Sequence, residues 1–135
     1  MKLSKSTHYA LHTMLHLTLS HAEGHTSVSK LAGHQQVSTT YLSKILTKLV
    51  KAGLIVSVPG ANGGYKLKAN WKETTLLDVI QAVEGLPPIF DYCEDHNPSC
   101  IIQQSIQKAE KNFLEELGTM KIADLAEDAR NVPHH

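Results

Sequence analysis

The side chains best suited to chemistry in this sequence are two cysteines and a row of histidines. Cys93 and Cys100 are too few to build a disulfide framework, and their close spacing indicates a small redox or metal feature instead. His8, His12 and His16 recur at the spacing that stacks three imidazoles on one face of a helix. No nucleophile, general base and oxyanion donor occur together in a recognisable motif, so we expect the protein not to be an enzyme.

The charged residues are segregated along the chain, although the formal net charge is zero. Residues 1–72 contain nine lysines and one acid, for a formal charge of +8, and residues 73–135 contain twelve acids and four bases, for −8. A half that carries most of the cations suits a phosphate-facing surface, because each neutralised phosphate releases condensed counterions. We therefore expect the first half to bind nucleic acid; a chance imbalance of solvated surfaces is the plainer alternative.

Length and hydropathy define the class of protein. With 135 residues, 41% of them hydrophobic, the chain can bury one compact core. No run approaches the roughly 20 apolar residues of a membrane span, and Lys and His are scattered through the amino terminus where a signal peptide needs an apolar block. We expect a soluble, cytoplasmic protein with no membrane partner.

Hydrophobic spacing predicts three helices in the first half, over residues 7–21, 27–34 and 39–52, with Ser38 as the N-cap of the third. One face of the third helix is apolar and should be buried; it consists of Leu42, Ile45, Leu46 and Leu49. The opposite face carries hydroxyls and lysines, which suit phosphates and base edges. These outward residues are Thr40, Ser43, Lys44, Thr47, Lys48 and Lys51.

A β-hairpin wing is predicted after the third helix. Residues 54–58 and 65–69 are β-prone, and the loop between them, 59–64, is rich in residues that tolerate positive φ. A phosphate-binding glycine loop is the competing interpretation, but that motif ends in Gly-Lys-Ser or Gly-Lys-Thr and opens a helix, whereas here Tyr65 and a β-prone run follow.

A fourth helix is predicted over residues 76–84. Thr75 and Asp78 make an acidic capping pattern at its start, and Gly85 closes it. We expect residues 86–99 to form a sensor loop.

A long helix is predicted after this loop. Asn97 and Pro98 have the pattern of an N-cap and a first-turn proline, which would place Cys100 in the first helical turn. Its apolar stripe is too narrow to be a core of its own and consists of Ile102, Ile106, Ala109, Phe113 and Leu117. Either a partner helix covers this stripe in a homodimer, or the helix folds back on its own domain.

Several short motifs together resemble one family. They are Met1-Lys2-Leu3-Ser4-Lys5, Tyr9-Ala10-Leu11, Thr40-Tyr41-Leu42, Ala52-Gly53-Leu54-Ile55 and Gly60-Ala61-Asn62-Gly63-Gly64-Tyr65. In this order they resemble the Rrf2 family of bacterial regulators, which includes IscR, NsrR and CymR, over Met1 to Asp128. The resemblance implies a winged helix-turn-helix homodimer on a partly palindromic operator in double-stranded DNA, with the third helix in the major groove and the wing at the minor groove.

The resemblance also implies a set of DNA-binding residues. Those carried over from the family motifs are Thr40, Tyr41, Ser43, Lys44, Pro59, Gly60, Asn62 and Gly63. The helix start and the basic surface add Ser38, Thr39, Lys48, Lys66 and Lys68. Relatives usually carry an arginine where this chain has Pro59, and its only arginine, Arg130, lies in the acidic half. Because arginine is the commonest reader of guanine, we expect lysine, asparagine and hydroxyl contacts to DNA instead.

The sensor region departs from cluster-binding relatives, which usually carry three cysteines here, and three interpretations stay open. Cys100 is a reactive thiol at a helix start, whose oxidation disturbs the dimer helix. Alternatively, Cys93 and Cys100 join His8 and His12 of the partner subunit in a [2Fe–2S] site, because a first-helix side chain of the other subunit completes the cluster in some relatives. In the third, Cys100 is merely packed, Cys93 is incidental and the histidines are a solvated face.

We predict a mostly α protein with a small β-hairpin wing. Residues 1–85 form a winged helix-turn-helix domain, 86–99 a sensor loop, 100–128 a dimerisation helix and C-terminal segment, and 129–135 a tail. The predicted function is that of a homodimeric transcriptional repressor that responds to a redox, iron–sulfur or small-molecule signal, with either no cofactor or a [2Fe–2S] cluster. An iron–sulfur or metal-binding redox protein, in which DNA binding is incidental, is the alternative.

Overall fold

The computed structural model describes residues 3–85 and 100–132, which form α-helices and one β-hairpin, as predicted. The helices are α1 (Lys5–Leu19), α2 (Val28–Gln35), α3 (Thr39–Lys51), α4 (Leu76–Glu84), α5 (Ile101–Leu117) and α6 (Ile122–Arg130). The antiparallel strands are β1 (Ile55–Val58) and β2 (Gly64–Leu67), and short 3-10 turns cover His21–Glu23 and Trp71–Glu73. No helix in these two stretches is long and apolar enough to cross a membrane.

The core forms around α1. Ala10, Met14 and Leu17 lie on its buried face, and α1 contacts α3, α4 and α6. The buried residues of α3 are those predicted from helical spacing, Leu42, Ile45, Leu46 and Leu49. Full burial of one such leucine or methionine stabilises a fold by about 1.5–3 kcal/mol, so α1 and α3 contribute a large share of the driving force.

Threonines on the buried side of α1 have hydrogen-bond partners. Thr18 Oγ1 donates to the Met14 carbonyl oxygen at 2.7 Å, and the Gln35 side-chain nitrogen donates to Thr13 Oγ1 at 2.7 Å. Thr7 Oγ1 donates to a carboxylate at the end of α4. Because an unsatisfied buried hydroxyl is costly, these bonds restrict how α2 and α4 can dock on α1.

The first helix is displaced from the predicted residues 7–21. It begins at Lys5 because the Ser4 side chain accepts the Thr7 backbone N–H at 3.2 Å and so acts as the N-cap. It ends at Leu19, where a 3-10 turn follows. The apolar spacing marked the middle of the helix, and the cap set its start.

The other helices of the first half lie close to their predicted ranges. α4 spans the predicted residues, and its capping box is complete. Asp78 N–H donates to Thr75 Oγ1 at 3.1 Å, and Thr75 N–H donates to Asp78 Oδ2 at 2.9 Å. Gly85 closes α4 in the left-handed conformation, with φ of 80°.

The hairpin is anchored to the segment that precedes α2. Thr26 and Tyr65 exchange two backbone hydrogen bonds, each of 2.9 Å. Gly64, next to this bridge, has no room for a side chain, because a Cβ atom there would lie 2.2 Å from the Thr26 carbonyl oxygen. His25 Nε2 also lies 2.6 Å from the Asn62 carbonyl oxygen in the hairpin loop.

The hairpin loop closes tightly. Gly63 N–H donates to the Gly60 carbonyl oxygen at 3.0 Å, and Gly60 has a φ of 103°, which favours glycine. A Cβ atom on Gly63 would lie 2.0 Å from the Val58 carbonyl oxygen. The glycines therefore have a steric role in the wing, which the sequence pattern had indicated only through their turn propensity.

The second half contains a helix that the sequence analysis did not separate. α5 ends at Leu117, and α6 begins at Ile122 and packs on α1. The start of α6 is held by a bridge to the segment before α4, in which Leu76 N–H donates to Met120 O at 2.8 Å and Ile122 N–H donates to Thr74 O at 3.0 Å.

The prediction that Cys100 lies in the first helical turn was wrong by one residue. Cys100 is the N-cap of α5, and the first helical turn begins at Ile101. The predicted capping residues Asn97 and Pro98, like Cys93 and the whole predicted sensor loop, lie outside the described residues.

Most of the α5 apolar stripe is not covered by the described part of the chain. Ile102 is 72% exposed and Phe113 is 44% exposed, Ala109 is exposed and Ile106 half-buried, while Leu117 is buried. Of the two interpretations, the described structure shows folding back on the same domain only at Leu117.

We expect Gly64→Ala to destabilise the fold by more than about 1 kcal/mol, because its methyl group would collide with the Thr26 backbone rather than with a flexible side chain. Gly33→Ala is the matched control: Gly33 lies in α2 with open space around it and should be neutral or stabilising by about 0.5–1 kcal/mol. Urea unfolding of both variants measures the difference. Equal free energies of unfolding for the two variants would contradict this expectation, because they would show that the Thr26 backbone can move away from the added methyl group without loss of stability.

Candidate nucleic-acid interface

α2 and α3 form a helix-turn-helix. Gln36 ends α2 in the left-handed conformation, with φ of 58°, and Val37 N–H donates to Ala32 O at 3.0 Å. Ser38 then caps α3 by accepting the Tyr41 backbone N–H at 3.1 Å. The turn therefore fixes the direction in which the first turn of α3 faces solvent.

The outer face of α3 is open to solvent and polar. Its exposed residues are Thr39, Thr40, Lys44, Thr47, Lys48 and Lys51, and Ser43 is half-buried. Thr47 Oγ1 donates to the Ser43 carbonyl oxygen at 2.8 Å, so this hydroxyl proton is used within the helix. The other hydroxyls and the lysines lie where a phosphate or base edge could approach.

Among the described residues, the lysines of α3 and the hairpin segment form no ion pair, although Lys48 interacts at longer range with the Glu84 carboxylate. Within residues 3–85 and 100–132, no ion pair involves Lys44, Lys48, Lys51, Lys66 or Lys68. Arg130, by contrast, pairs with Glu127 at 3.1 Å in α6, away from α3 and the hairpin, as the sequence indicated. Five cations without an ion pair in the described region therefore lie on or beside the elements predicted to face DNA.

The wing presents a mixed set of the predicted residues. Pro59, Gly60, Asn62 and Lys66 are exposed, and Gly63 and Lys68 are half-buried. Sequence reasoning missed His25 and Thr26, which hold the loop and strand β2 in place. The only signal for them was the Gly63-Gly64 pair, since two adjacent glycines indicate close approach of another backbone.

Tyr41 faces inward more than the prediction implied. It is half-buried, its hydroxyl lies 3.2 Å from Ser6 Oγ, and its ring meets the Tyr9 ring edge to face at 5.8 Å. Tyr41 therefore ties the first turn of α3 to the first turn of α1.

The histidine row divides into an exposed and a buried part. His8 and His12 are exposed, with ring centroids 4.3 Å apart. His16 is half-buried, its ring lies 4.6 Å from that of His34, and its buried Nε2 has no hydrogen-bond partner among the described residues. Burial, and then the nearby His34 and Lys30, lower the pKa of His16 below its ordinary 6.5, against a small opposing effect of a glutamate. The interpretation of the histidines as a solvated face is therefore wrong for His16.

The predicted metal ligands are not brought together within the described part of one protomer. There, no three His, Cys, Asp or Glu side chains are placed to hold a metal ion. The two-cysteine, two-histidine site draws on a second subunit and on Cys93, which lies outside the described residues, so it stays a prediction. The described donor set does not fit a metal or cluster on its own.

Comparison with known proteins identifies the family of this chain. The sequence model of the Rrf2 family, described as iron-dependent transcriptional regulators, matches residues 3–128. Protein rrf2 of Nitratidesulfovibrio vulgaris is 31% identical over 139 aligned residues, covering 98% of this chain and 92% of that protein.

Two solved structures are similar to this chain in both sequence and fold. CymR (YrzC), described as the global cysteine regulator of B. subtilis, is 33% identical with a TM-score of 0.78, covering 94% of this chain and 97% of that one. IscR of T. potens is 30% identical with a TM-score of 0.80, covering 100% of this chain and 93% of that one. The helix-turn-helix, the hairpin and these matches establish that the chain belongs to the Rrf2 family of transcriptional regulators, which are DNA-binding proteins and not enzymes.

Proposed function

We propose that the protein is a homodimeric transcriptional repressor that binds a partly palindromic duplex, with α3 in the major groove and the β1–β2 wing at the minor groove. The observation that supports this proposal is the outer face of α3, whose lysines and threonines are exposed and whose lysines form no ion pair in the described structure. A capped helix held by a turn can present its first residues to base edges, as helix-turn-helix proteins do.

The DNA-facing residues divide by the contacts their chemistry allows. Base-edge contacts are assigned to Thr40, Ser43 and Lys44, which lie in the first two turns of α3. Phosphate contacts are assigned to Ser38, Thr39, Lys48, Lys66 and Lys68. Tyr41, predicted to lie at the DNA, has its hydroxyl 3.2 Å from Ser6 Oγ and is assigned to positioning the first turn of α3 instead. The wing loop, with Pro59, Gly60, Asn62 and Gly63, is assigned to the minor groove.

The dimer is proposed to form through α5. Isolated in water, Ile102 and Phe113 expose apolar surface that a second copy of the same helix would bury. A two-fold dimer places two α3 helices against two half-sites, which matches a palindromic operator.

The signal is proposed to act at Cys100. As the half-buried N-cap of α5, its sulfur lies at the positive end of a helix that also carries the dimer stripe. Oxidation or modification there would alter the start of α5 and, through the dimer, the spacing of the two reading helices. The description of one similar protein as a cysteine regulator supports a thiol-related signal.

Binding to a duplex selected by the protein from random sequences should weaken steeply as salt rises. Lys66→Ala should reduce the slope of log affinity against log salt by about one unit and weaken all sequences alike, because it removes one phosphate contact. Lys108→Ala, an exposed lysine of α5, is the matched control and should leave the slope unchanged. Fluorescence anisotropy at several salt concentrations gives the slopes. An affinity independent of salt would contradict the assignment of these lysines to DNA phosphates.

Phe113→Glu should convert the dimer to monomers, because it places a charge in the apolar seam. Asn112→Glu changes the adjacent exposed residue outside the stripe and should leave the dimer intact. Sedimentation velocity measures both. If Phe113→Glu sediments as the wild type does, the dimer contact lies elsewhere.

Cys100 should react with an alkylating agent faster than an ordinary thiol of pKa about 8.5, and oxidant should change DNA affinity in the wild type and in Cys93→Ser but not in Cys100→Ser. Mass spectrometry of the alkylated protein and paired binding curves test this. An oxidant response lost in Cys93→Ser and kept in Cys100→Ser contradicts the assignment of the signal to Cys100. A visible absorption band in anaerobic wild type that Cys100→Ser, Cys93→Ser and His12→Ala each remove would support the cluster interpretation instead.

A further inference from the structure

The carboxylate of Glu84 joins the end of α4 to the start of α1. Glu84 Oε1 accepts the Ser4 backbone N–H at 2.8 Å and the Thr7 hydroxyl at 2.6 Å. Ser4 is the N-cap of α1, and Thr7 is fully buried in its first turn. One side chain therefore fixes two elements that are about 80 residues apart in sequence.

This placement is unfavourable within α4 and favourable for α1. A negative charge at the last residue of a helix opposes the dipole of that helix, whereas a negative charge at the first turn of another helix is stabilised by it. The hydrogen bonds from Thr7 and Ser4, with a smaller contribution from Lys48, lower the pKa of Glu84 from 4.5 to about 2. The group is consequently charged at any pH at which DNA binding would be measured.

The contact continues from α1 to the reading helix. Ser6, next to Thr7 in the chain, lies with its Oγ 3.2 Å from the Tyr41 hydroxyl. Tyr41 is in the first turn of α3, where its backbone N–H is bound by the Ser38 cap. A displacement of the first turn of α1 would therefore act directly on the first turn of α3.

We propose that Glu84 is a positioning residue for DNA binding: by holding the start of α1 against the end of α4, it sets, through the Ser6–Tyr41 contact, where the first turn of α3 meets the bases. This inference rests on the proposed role of α3 as the reading helix. Glu84 itself does not contact DNA in this account. Its effect is on the precision with which α3 is placed, and hence on the choice between sequences as well as on affinity.

The test compares Glu84→Ala, Ser6→Ala and the double variant, with binding measured on a selected duplex and on a random duplex of equal length. Each single variant should weaken binding to the selected duplex by about tenfold. Glu84→Ala removes the charge-assisted hydrogen bonds that hold the start of α1, and Ser6→Ala removes the contact between α1 and Tyr41. Binding to the random duplex should change much less, so the preference falls. The double variant should bind the selected duplex no more weakly than the single variant with the lower affinity. Both substitutions interrupt the same connection from Glu84 through Ser6 to Tyr41.

Two control variants separate positioning from loss of fold. Glu84→Gln keeps an oxygen that can accept from Ser4 and Thr7, and it should recover most of the affinity that Glu84→Ala loses. Lys66→Ala should lower the affinity for both duplexes by the same factor and so keep the preference between them. Its fold-loss of affinity should multiply with that of Glu84→Ala in a double variant, because the wing makes a separate contact. Thermal melting by circular dichroism checks whether each variant is folded at the assay temperature.

The outcomes distinguish the two proposals. If Lys44→Ala reduces sequence preference while Glu84→Ala and Ser6→Ala leave it unchanged, the positioning role is refuted and α3 remains the reading helix. If Lys44→Ala has no effect either, the assignment of α3 fails. Should Glu84→Ala not fold, Ser6→Ala and Glu84→Gln still decide the question: wild-type preference in Ser6→Ala overturns the proposal, and lost preference in Ser6→Ala with retained preference in Glu84→Gln supports it.

Discussion

The burial of α1 is the constraint on which the other elements depend. Its apolar face packs on α3, α4 and α6, so each of these can dock only where it covers that face. Apolar contact alone tolerates small rotations, but the buried hydroxyls of Thr7 and Thr13 do not, because each needs its partner from another helix. Glu84 supplies one of these partners at the end of α4, and Gln35 supplies the other at the end of α2. The helix-turn-helix and the second half of the chain are thereby aligned on one helix.

This arrangement separates the contacts that determine the fold from those available to DNA. The apolar side of α3 is fully used in the core, while its lysines form no ion pair in the described region and Thr39 and Thr40 are exposed to solvent. Most acidic residues lie in the second half of the sequence, and in the described region no carboxylate forms an ion pair with a lysine of α3 or of residues 64–68, although Glu84 interacts with Lys48 at longer range. A surface of this kind attracts a polyanion at long range and leaves selectivity to the geometry of a few side chains.

The parts that could be predicted from the sequence are those determined by local chemistry. The buried face of α3, the capping box of Thr75 and Asp78, and the glycine-rich wing depend on residues within a few positions of one another, and the structure has all three. The parts that could not be predicted depend on distant partners. The burial of His16 requires α2 to dock beside α1, and α6 begins where it does because of a backbone bridge to Thr74. The hydrogen bonds of Glu84 join opposite ends of the domain sequence, and no spacing rule connects them. Helical spacing indicated the outward hydroxyls and lysines of α3, and motif resemblance added Tyr41 and the wing-loop residues.

The first turns of α3 and the wing loop are proposed to form the surface that meets DNA. The most direct measurement is a nuclear magnetic resonance titration of the isotope-labelled protein with a duplex selected from random sequences. We expect the largest amide shifts to fall on residues 38–48 and 59–66, with α6 little changed, and we expect these shifts to weaken together as salt is added. Shifts centred on α6 or on the α4–α5 side, with α3 unaffected, would contradict it.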